Sequence, residues 1–340
     1  MRLAALILVL TPVFAAEFAY REALPGYSYQ FPRDHFEHQD FRTEWWYYTG
    51  NVSDAAGKRF GFELVFFRHG ERHATENKSV WAVQDLYLAH AALTDANGKR
   101  FLYDERLSRA GPGVAGASFD KRRIWNGNWS AQWSGDTQTL EAITDRFRLH
   151  LTLQPETPPV IQGENGVSQK AAGAGKASYY VSFPRLAVEG RLNGVEVAGS
   201  AWMDHEWFTE QLAGDQTGWD WFSAQLDNDT ELMLFELRKK DGSIDAYSSG
   251  TFIDAAGRAH HLKRDEFTLE PLARWGKYPV AWRIRVPSLK IDVRCKAALE
   301  DQELRAKDGP RYWEGAVTYE GSNRGVGYLE MTGYSGPVRF

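Results

Sequence analysis

The sequence is poor in cysteine, with Cys295 as the single one among 340 residues. A single cysteine cannot form an intramolecular disulfide. It also excludes a zinc site built from several cysteines. A lone cysteine with apolar neighbours is typical of a small core residue. We therefore interpret Cys295 as structural.

The chain also lacks a basic excess and the common hydrolase signatures. The net charge is -5 and both signs are interspersed, so no basic surface is expected to neutralise nucleic-acid phosphates. Neither a His-Glu-x-x-His zinc motif nor a Gly-x-Ser-x-Gly nucleophile elbow occurs. Nucleic acid is not expected as a partner, and a secreted hydrolase is kept only as a weaker alternative.

Long apolar runs are scarce, and the main one lies at the N-terminus. Arg2 precedes an apolar stretch over residues 3–14, and Ala15 and Ala16 follow it. This order is typical of a secretory signal peptide, and about twelve residues are too few to span a bilayer. Residues 1–16 are predicted to be the signal, which implies a periplasmic or secreted protein with no transmembrane span in the mature chain. A buried N-terminal helix or a membrane anchor is the alternative.

Aromatic residues are abundant, at 14% of the sequence with 13 tryptophans, and strands accommodate them well. Strand-like runs alternate with turn signals such as those at 54–58, 95–98 and 254–257. The pattern predicts a nearly all-β, antiparallel protein. The segment Pro155 to Lys176 breaks the rhythm and is predicted to be a long surface loop, either a lid or disordered.

Two pairs of similar segments indicate an internal duplication. Residues 44–48 and 218–222 both precede a hairpin and an apolar strand, and residues 123–127 resemble 311–315 in the same order. A duplicated unit implies two copies of one small fold. Domains are therefore predicted at 17–200 and 201–340.

One candidate site lies on the predicted strand that begins near residue 43. Because side chains alternate in a strand, Glu44, Trp46 and Tyr48 share one face, and the opposite face carries Trp45 and Tyr47. Bulky residues on both faces suit a strand between a core and a cavity. The alternative is a filled core in which Glu44 pairs with an arginine such as Arg42 or Arg68.

A second candidate site is the run Trp202 to Trp207, in which Asp204, His205 and Glu206 lie between tryptophans. Burial among aromatic rings raises the pKa of an aspartic acid, and a protonated Asp204 can donate to a carbon–carbon double bond. The faces of the rings would stabilise the resulting carbocation. The alternative is that Asp204 makes a structural bond to an amide or an arginine.

Several strings together resemble one family. They are FPRDHFEHQDFRTEWWYYTG at 31–50, MDHEW at 203–207, GWDWFSAQL at 218–226, YWEGAV at 312–317 and GYLEMTGY at 327–334. The sequence is similar to the family of carotenoid 1,2-hydratase, also called hydroxyneurosporene synthase, and the AttH-like exported proteins. The resemblance implies two lipocalin-like antiparallel β-barrel domains and, for some relatives, addition of water to a double bond without metal or organic cofactor.

The resemblance also implies site residues and partners. Asp204 is the position that matches the proton donor of the hydratases, with water held by His205 or Glu44. The candidates for contact with an apolar, isoprenoid or lipid-like ligand are Trp46, Tyr48, Trp202, Trp207, Trp219 and Trp221. The alternative function is a periplasmic lipid-binding protein that serves an ABC transporter permease, as the AttH likeness suggests, because a barrel of about eight strands has room for one small ligand.

Metal binding is not expected. His35 lies near His38, and His69 and His73 are four residues apart, but that spacing places two histidines on one face only in a helix. The segment 68–73 is predicted to be a hairpin or loop instead. The histidines are interpreted as hydrogen-bonding residues of the core and surface, and no cofactor is predicted.

Overall fold

The computed structural model describes residues 18–71, 79, 81–305 and 311–336. The predicted signal peptide and His73 lie outside these ranges. The described chain is nearly all β, as predicted, with two barrel-like antiparallel sheets. Its helices are the short 3₁₀ turns Arg33–His35, Arg264–Glu266 and Pro287–Leu289. Within the described ranges, no helix has the length and apolar character needed to cross a membrane.

The first sheet comprises thirteen strands of the described chain, and its main path runs in the order β4-β3-β2-β1-β13-β12-β9-β8-β7-β6-β5. The short strands β10 and β11 add to β12. The strands are β1 Thr43–Asp54, β2 Arg59–Gly70, β3 Asp85–Asp95, β4 Arg100–Arg109, β5 Ala115–Ser118, β6 Arg123–Asn126, β7 Trp129–Ser134, β8 Thr137–Ile143, β9 Arg148–Pro155, β10 Val160–Ile161, β11 Ser168–Gln169, β12 Ala177–Leu192 and β13 Val195–Phe208.

The second sheet comprises ten strands of the described chain, in the order β17-β16-β15-β14-β23-β22-β20-β19-β18, with β21 added to β22. The strands are β14 Gln216–Leu226, β15 Glu231–Lys239, β16 Ser249–Ile253, β17 Ala259–Lys263, β18 Thr268–Trp275, β19 Tyr278–Val286, β20 Ile291–Ala297, β21 Glu303–Leu304, β22 Tyr312–Gly321 and β23 Gly325–Met331.

Side-chain alternation fills the interior of each sheet. In β20 every second residue is buried, and Cys295 is among them. Burial raises the pKa of the Cys295 thiol to about 12, which keeps it protonated and supports its structural interpretation. Each sheet encloses its own apolar core, one around Trp46 and Leu151 and the other around Trp282 and Val317. A third apolar cluster joins the two sheets around Tyr47 and Trp221.

Strand order supports one of the two predicted repeat pairs. The first sheet contains the order β4-β3-β2-β1-β13, and the second contains β17-β16-β15-β14-β23. In this comparison β1 is equivalent to β14, and β13 is equivalent to β23. Residues 44–48 and 218–222 therefore occupy matching positions. The pair 123–127 and 311–315 does not, because it lies on β6 and β22, which take different places in their sheets. The expected boundary at residue 200 falls within β13, and the change of sheet comes between Phe208 and Gln216.

The segment from Pro155 to Lys176 is packed against the sheet, which differs from the surface loop predicted for it. Since β9 pairs only with residues 186–192 of β12, the earlier part of that long strand leaves an edge free, and β10 and β11 occupy it. Gln162, Ser168 and Lys170 are buried as a result. The composition of this segment indicates that it lacks a regular strand or helix period, but it does not indicate that the segment pairs with the edge of β12.

Candidate functional site

A cavity lies between the two sheets. The volume open to the centre of a water molecule within it is about 50 Å³. Aromatic rings form much of its wall, and acidic groups and one lysine interrupt them. The lining residues are Trp45, Tyr47, Phe67, Lys170, Tyr180, Asp204, Glu206, Gln211, Trp219, Trp221, Phe235, Leu237, Tyr312, Glu330 and Thr332.

Central strands buried on both faces place these side chains. The residues Thr43 to Gly50 of β1 are all buried, because one face meets the interior of the first sheet and the other meets the second sheet. Trp45 and Tyr47 project into the cavity, and from the equivalent strand β14 so do Trp219 and Trp221. The rings of Trp45 and Trp219 stack across the cavity with centroids 6.5 Å apart. The duplicated strands thus contribute matching aromatic walls.

Asp204 lies in this cavity with both carboxylate oxygens hydrogen-bonded. Tyr180 donates to Oδ2 at 2.5 Å, and Ser182 and Trp202 donate to Oδ1 at 2.5 and 2.6 Å. Burial nevertheless outweighs these bonds and raises the pKa of Asp204 to about 7. The partners are hydroxyls and an indole, not the arginine or amide of the structural alternative. Asp204 can therefore exchange a proton near neutral pH.

Two more acidic groups share the cavity with Asp204. Burial raises the pKa of Glu330 to about 8, and the nearby carboxylates add to the rise even though Trp219 donates to Glu330 at 3.0 Å. Burial also raises the pKa of Glu206, against the opposing charge of Lys170. The cavity wall is therefore acidic in residue type, but burial holds the pKa values of its carboxyl groups above their usual range.

Behind the cavity, paired carboxyls and tyrosines join the sheets. Tyr47 of β1 donates to Glu314 of β22 at 2.5 Å, and Tyr312 of β22 donates to Glu63 of β2 at 2.9 Å. Burial raises the pKa of Glu63 to about 8 and the pKa of Glu314 well above its usual value. Protonated carboxyls are thus built into the contact between the halves.

Glu44 and His205 do not share the cavity with Asp204, and this corrects the expectation that they hold its water. Residues 204 and 205 are adjacent on β13, so their side chains leave opposite faces, and His205 enters the interior of the first sheet. There His205 Nε2 lies 2.9 Å and His38 Nδ1 lies 2.7 Å from Oε1 of Glu44. Arg68 donates to Oε2 at 3.1 Å, as the ion-pair alternative predicted.

His38, Glu44 and His205 match a metal site in residue type, with ligand atoms all within 4.8 Å of one another. Their oxygen and nitrogen atoms already bond to each other, and the cationic Arg68 lies against Glu44. Burial opposes ionisation of Glu44, yet the charge of His38 and these bonds hold its pKa below the usual range. The chemistry of the group is that of an ion-pair network, since a cation would meet Arg68 and displace two hydrogen bonds. Among the described residues, Nδ1 of His205 has no hydrogen-bond partner.

The six aromatic candidates divide between the two faces. Trp219 and Trp221 line the cavity. Trp202 is not a lining residue, but its indole donates a hydrogen bond to Asp204, which is. The other three are packed inside the first sheet: Trp46, whose indole donates to the carbonyl of His35; Trp207, which stacks on His38; and Tyr48. Alternation assigned the faces of β1 correctly, but nothing in the sequence told which face met the second sheet.

Sequence reasoning missed Lys170, Tyr180 and Glu330 as cavity residues. Glu330 lies within the quoted string at 327–334, on the strand β23. Because β23 is equivalent to β13, which carries Asp204, the duplication could have pointed to Glu330. Tyr180 stands in an aromatic strand without a motif. Lys170 comes from the irregular segment before β12, and no periodic signal could have pointed it inward.

The fold and cavity define a two-sheet, lipocalin-like protein whose candidate site lies between its halves. The AttH-like family model matches residues 22–334, and the chain belongs to this family. A crystal structure of an AttH from Nitrosomonas europaea is similar at 35% identity and a TM-score of 0.83, covering 92% of this chain and 99% of that one. No curated protein sequence matches the chain.

Two more distant solved structures share the fold. Kievitone hydratase from Nectria haematococca is 15% identical with a TM-score of 0.68. CghA, solved with Sch210972, is 12% identical with a TM-score of 0.53. Each comparison covers 94% of this chain and 97% of the other. At these identities the likeness establishes the shared fold alone.

Proposed function

We propose that the protein is a cofactor-free hydratase that adds water to a carbon–carbon double bond of an apolar, isoprenoid or lipid-like substrate. The observation that carries this proposal is Asp204, a buried carboxyl with a pKa of about 7 in an aromatic cavity. One relative in fold is named a hydratase, which is consistent with the proposal. The carotenoid 1,2-hydratase reaction is one member of this class.

Proton delivery follows from the bond between Asp204 and Tyr180. When Asp204 is ionised, the Tyr180 hydroxyl donates to it. When Asp204 is protonated, its own O–H donates to the Tyr180 oxygen, and the phenolic proton is then free to point into the cavity. Tyr180 would pass that proton to one alkene carbon and take the Asp204 proton in its place, which leaves Asp204 as the carboxylate.

The other alkene carbon then carries the positive charge. The rings of Trp221, Trp219 and Trp45 line the cavity. The face of an aromatic ring stabilises a cation in a desolvated site by about 2 kcal/mol. Water adds its oxygen to the cation. The proton that the water releases returns through Tyr180 to the Asp204 carboxylate and restores the acid, without a part for Glu44 or His205.

The test is isotope incorporation from labelled water. The protein is incubated with a panel of neutral and carboxylate-bearing alkenes (geraniol, lycopene, geranic acid and oleic acid) in H₂¹⁸O, and the products are examined by mass spectrometry. We expect at least one product to gain the mass of H₂¹⁸O. Asp204→Asn should fold normally by circular dichroism but lose this product, whereas the exposed Asp120→Asn should retain it.

Undiminished turnover by Asp204→Asn would reject Asp204 as the acid. Binding of the probes without label incorporation, together with a lipid that stays with the natively purified protein in mass spectrometry, would favour the periplasmic carrier instead. That alternative proposal comprises export to the periplasm, binding of a lipid-like ligand and an ABC transporter permease as the partner.

A further inference from the structure

Lys170 is a buried lysine whose ammonium group faces the cavity. Its side chain is 5% exposed, and its backbone is fixed on two sides. The Lys170 amide donates to the carbonyl of Lys176 at 2.9 Å, and its carbonyl accepts a 2.8 Å bond from Gln216, which begins the second sheet. The position of the side chain at the junction of the two halves is therefore well defined.

The ammonium group contacts one carboxylate and the rings of Tyr180 and Phe235, but these contacts give it no hydrogen bond. Its Nζ lies 3.9 Å from Oε2 of Glu206, beyond hydrogen-bond distance, and Ser178 donates to that same oxygen. The ring centroid of Phe235 lies 3.8 Å from Nζ. Within the part of the chain that the structure describes, no acceptor is hydrogen-bonded to Nζ. The ammonium group lines the cavity without a hydrogen-bonded acceptor among the described residues, and a ligand that offers one would satisfy it.

The neighbouring acids leave room for an anion. Burial raises the pKa values of Asp204, Glu206 and Glu330, so these groups carry less negative charge near neutral pH than exposed carboxylates would. Burial lowers the pKa of Lys170, although the charges of Glu206 and Asp204 oppose this shift. A ligand anion would add a counter-charge beside the ammonium group and would not be repelled strongly by the wall.

We propose that Lys170 anchors a carboxylate of the ligand, so that the ligand is an apolar molecule ending in a carboxylate and not a pure hydrocarbon or alcohol. The aromatic walls take the apolar part, and the ammonium group fixes one end. This inference rests on the proposed function in that it names the substrate class for the same cavity. It applies equally to the reaction and to simple binding, because an anchor orients a ligand in either case.

The test compares cis-parinaric acid with its methyl ester, two fluorescent probes that differ in the carboxylate alone. The full-length protein should bind the acid at least tenfold more tightly than the ester at pH 7.5. Lys170→Met should lose that preference while it keeps its affinity for the ester, and Lys170→Arg should keep part of the preference. The exposed Lys296→Met is the matched control and should behave as the unmodified protein does.

Equal affinity for acid and ester, an unchanged preference in Lys170→Met, or failure to bind either probe would overturn the anchor. The outcome is separable from that of the hydration assay. A preference for the acid without label incorporation leaves the anchor in place and removes the hydratase. Label incorporation into the neutral alkenes without a preference for the acid leaves the hydratase in place and removes the anchor.

Discussion

The hydroxyl of Tyr180 lies between two groups from different halves of the molecule. It donates to Asp204 at 2.5 Å and accepts a 3.1 Å bond from the indole nitrogen of Trp221. Asp204 belongs to the first sheet and Trp221 to the second. The proton state of Asp204 is therefore linked to the contact between the sheets, and the candidate site exists only when both halves are assembled.

Replacing Tyr180 by phenylalanine should raise the pKa of Asp204 above 7. The substitution keeps the ring and removes a hydrogen bond that favours the carboxylate. The shift can be measured by titrating the Asp204 carboxyl carbon by NMR in ¹³C-labelled protein. Tyr247→Phe, at an exposed position, is the control and should leave the titration unchanged. A lower pKa in Tyr180→Phe would contradict the assigned bond.

Gly61→Ala should destabilise the contact between the two halves. A Cβ at Gly61 would lie 2.5 Å from the Cβ of Ala316 and 2.8 Å from the hydroxyl of Tyr328, both in the second sheet. Overpacking of this kind costs about 1–3 kcal/mol in the free energy of unfolding, measured by urea denaturation. Gly214→Ala meets nothing within 4 Å and should be nearly neutral. Equal stability of the two variants would argue against the tight contact.

Stability should fall as the pH rises from 6.5 to 8.5, because buried carboxyls join the halves. Unfolding releases Glu63 and Glu330 to water, where they ionise near pH 4.5, whereas in the folded protein burial raises the pKa of each to about 8. The folded state thus binds more protons across this range, and stability declines until pH passes about 8. The free energy of unfolding at each pH, from urea titration, measures the slope.

Glu63→Gln should make that decline shallower, since the amide cannot ionise and still accepts the bond from Tyr312. The exposed Glu320→Gln is the control and should reproduce the original slope. A slope that does not change in Glu63→Gln would show that Glu63 is already ionised in the folded protein.

Arg68→Met should destabilise the first sheet strongly. Arg68 is fully buried and bonds to Glu44 and to Asp85, so its loss removes the arginine partner of two buried carboxylates. Breaking a buried pair in this way costs about 3–5 kcal/mol in the free energy of unfolding, again measured with urea. The exposed Arg59→Met should cost far less. A small loss in Arg68→Met would mean that the two acids become protonated without strain.

Local patterns carried much of the fold and part of the site. Alternating apolar residues and glycine turns predicted the antiparallel sheets, and the quoted strings predicted the AttH-like family; both predictions are confirmed. Asp204 was found because its tryptophan neighbours signal burial within one strand. Lys170 and Glu330 were not found, because they reach the cavity from segments that are distant in sequence.

The sequence by itself determined the strands, the alternation of their faces and the burial of Asp204, since these depend on residues within a few positions of each other. The tertiary structure decided which face of each central strand met the other half. Both faces of β1 and β13 are bulky, so local hydrophobicity does not distinguish them. Only the docking of the two sheets turned Trp45, Tyr47 and Asp204 toward the cavity and left Glu44, Trp46 and His205 in the core of the first half.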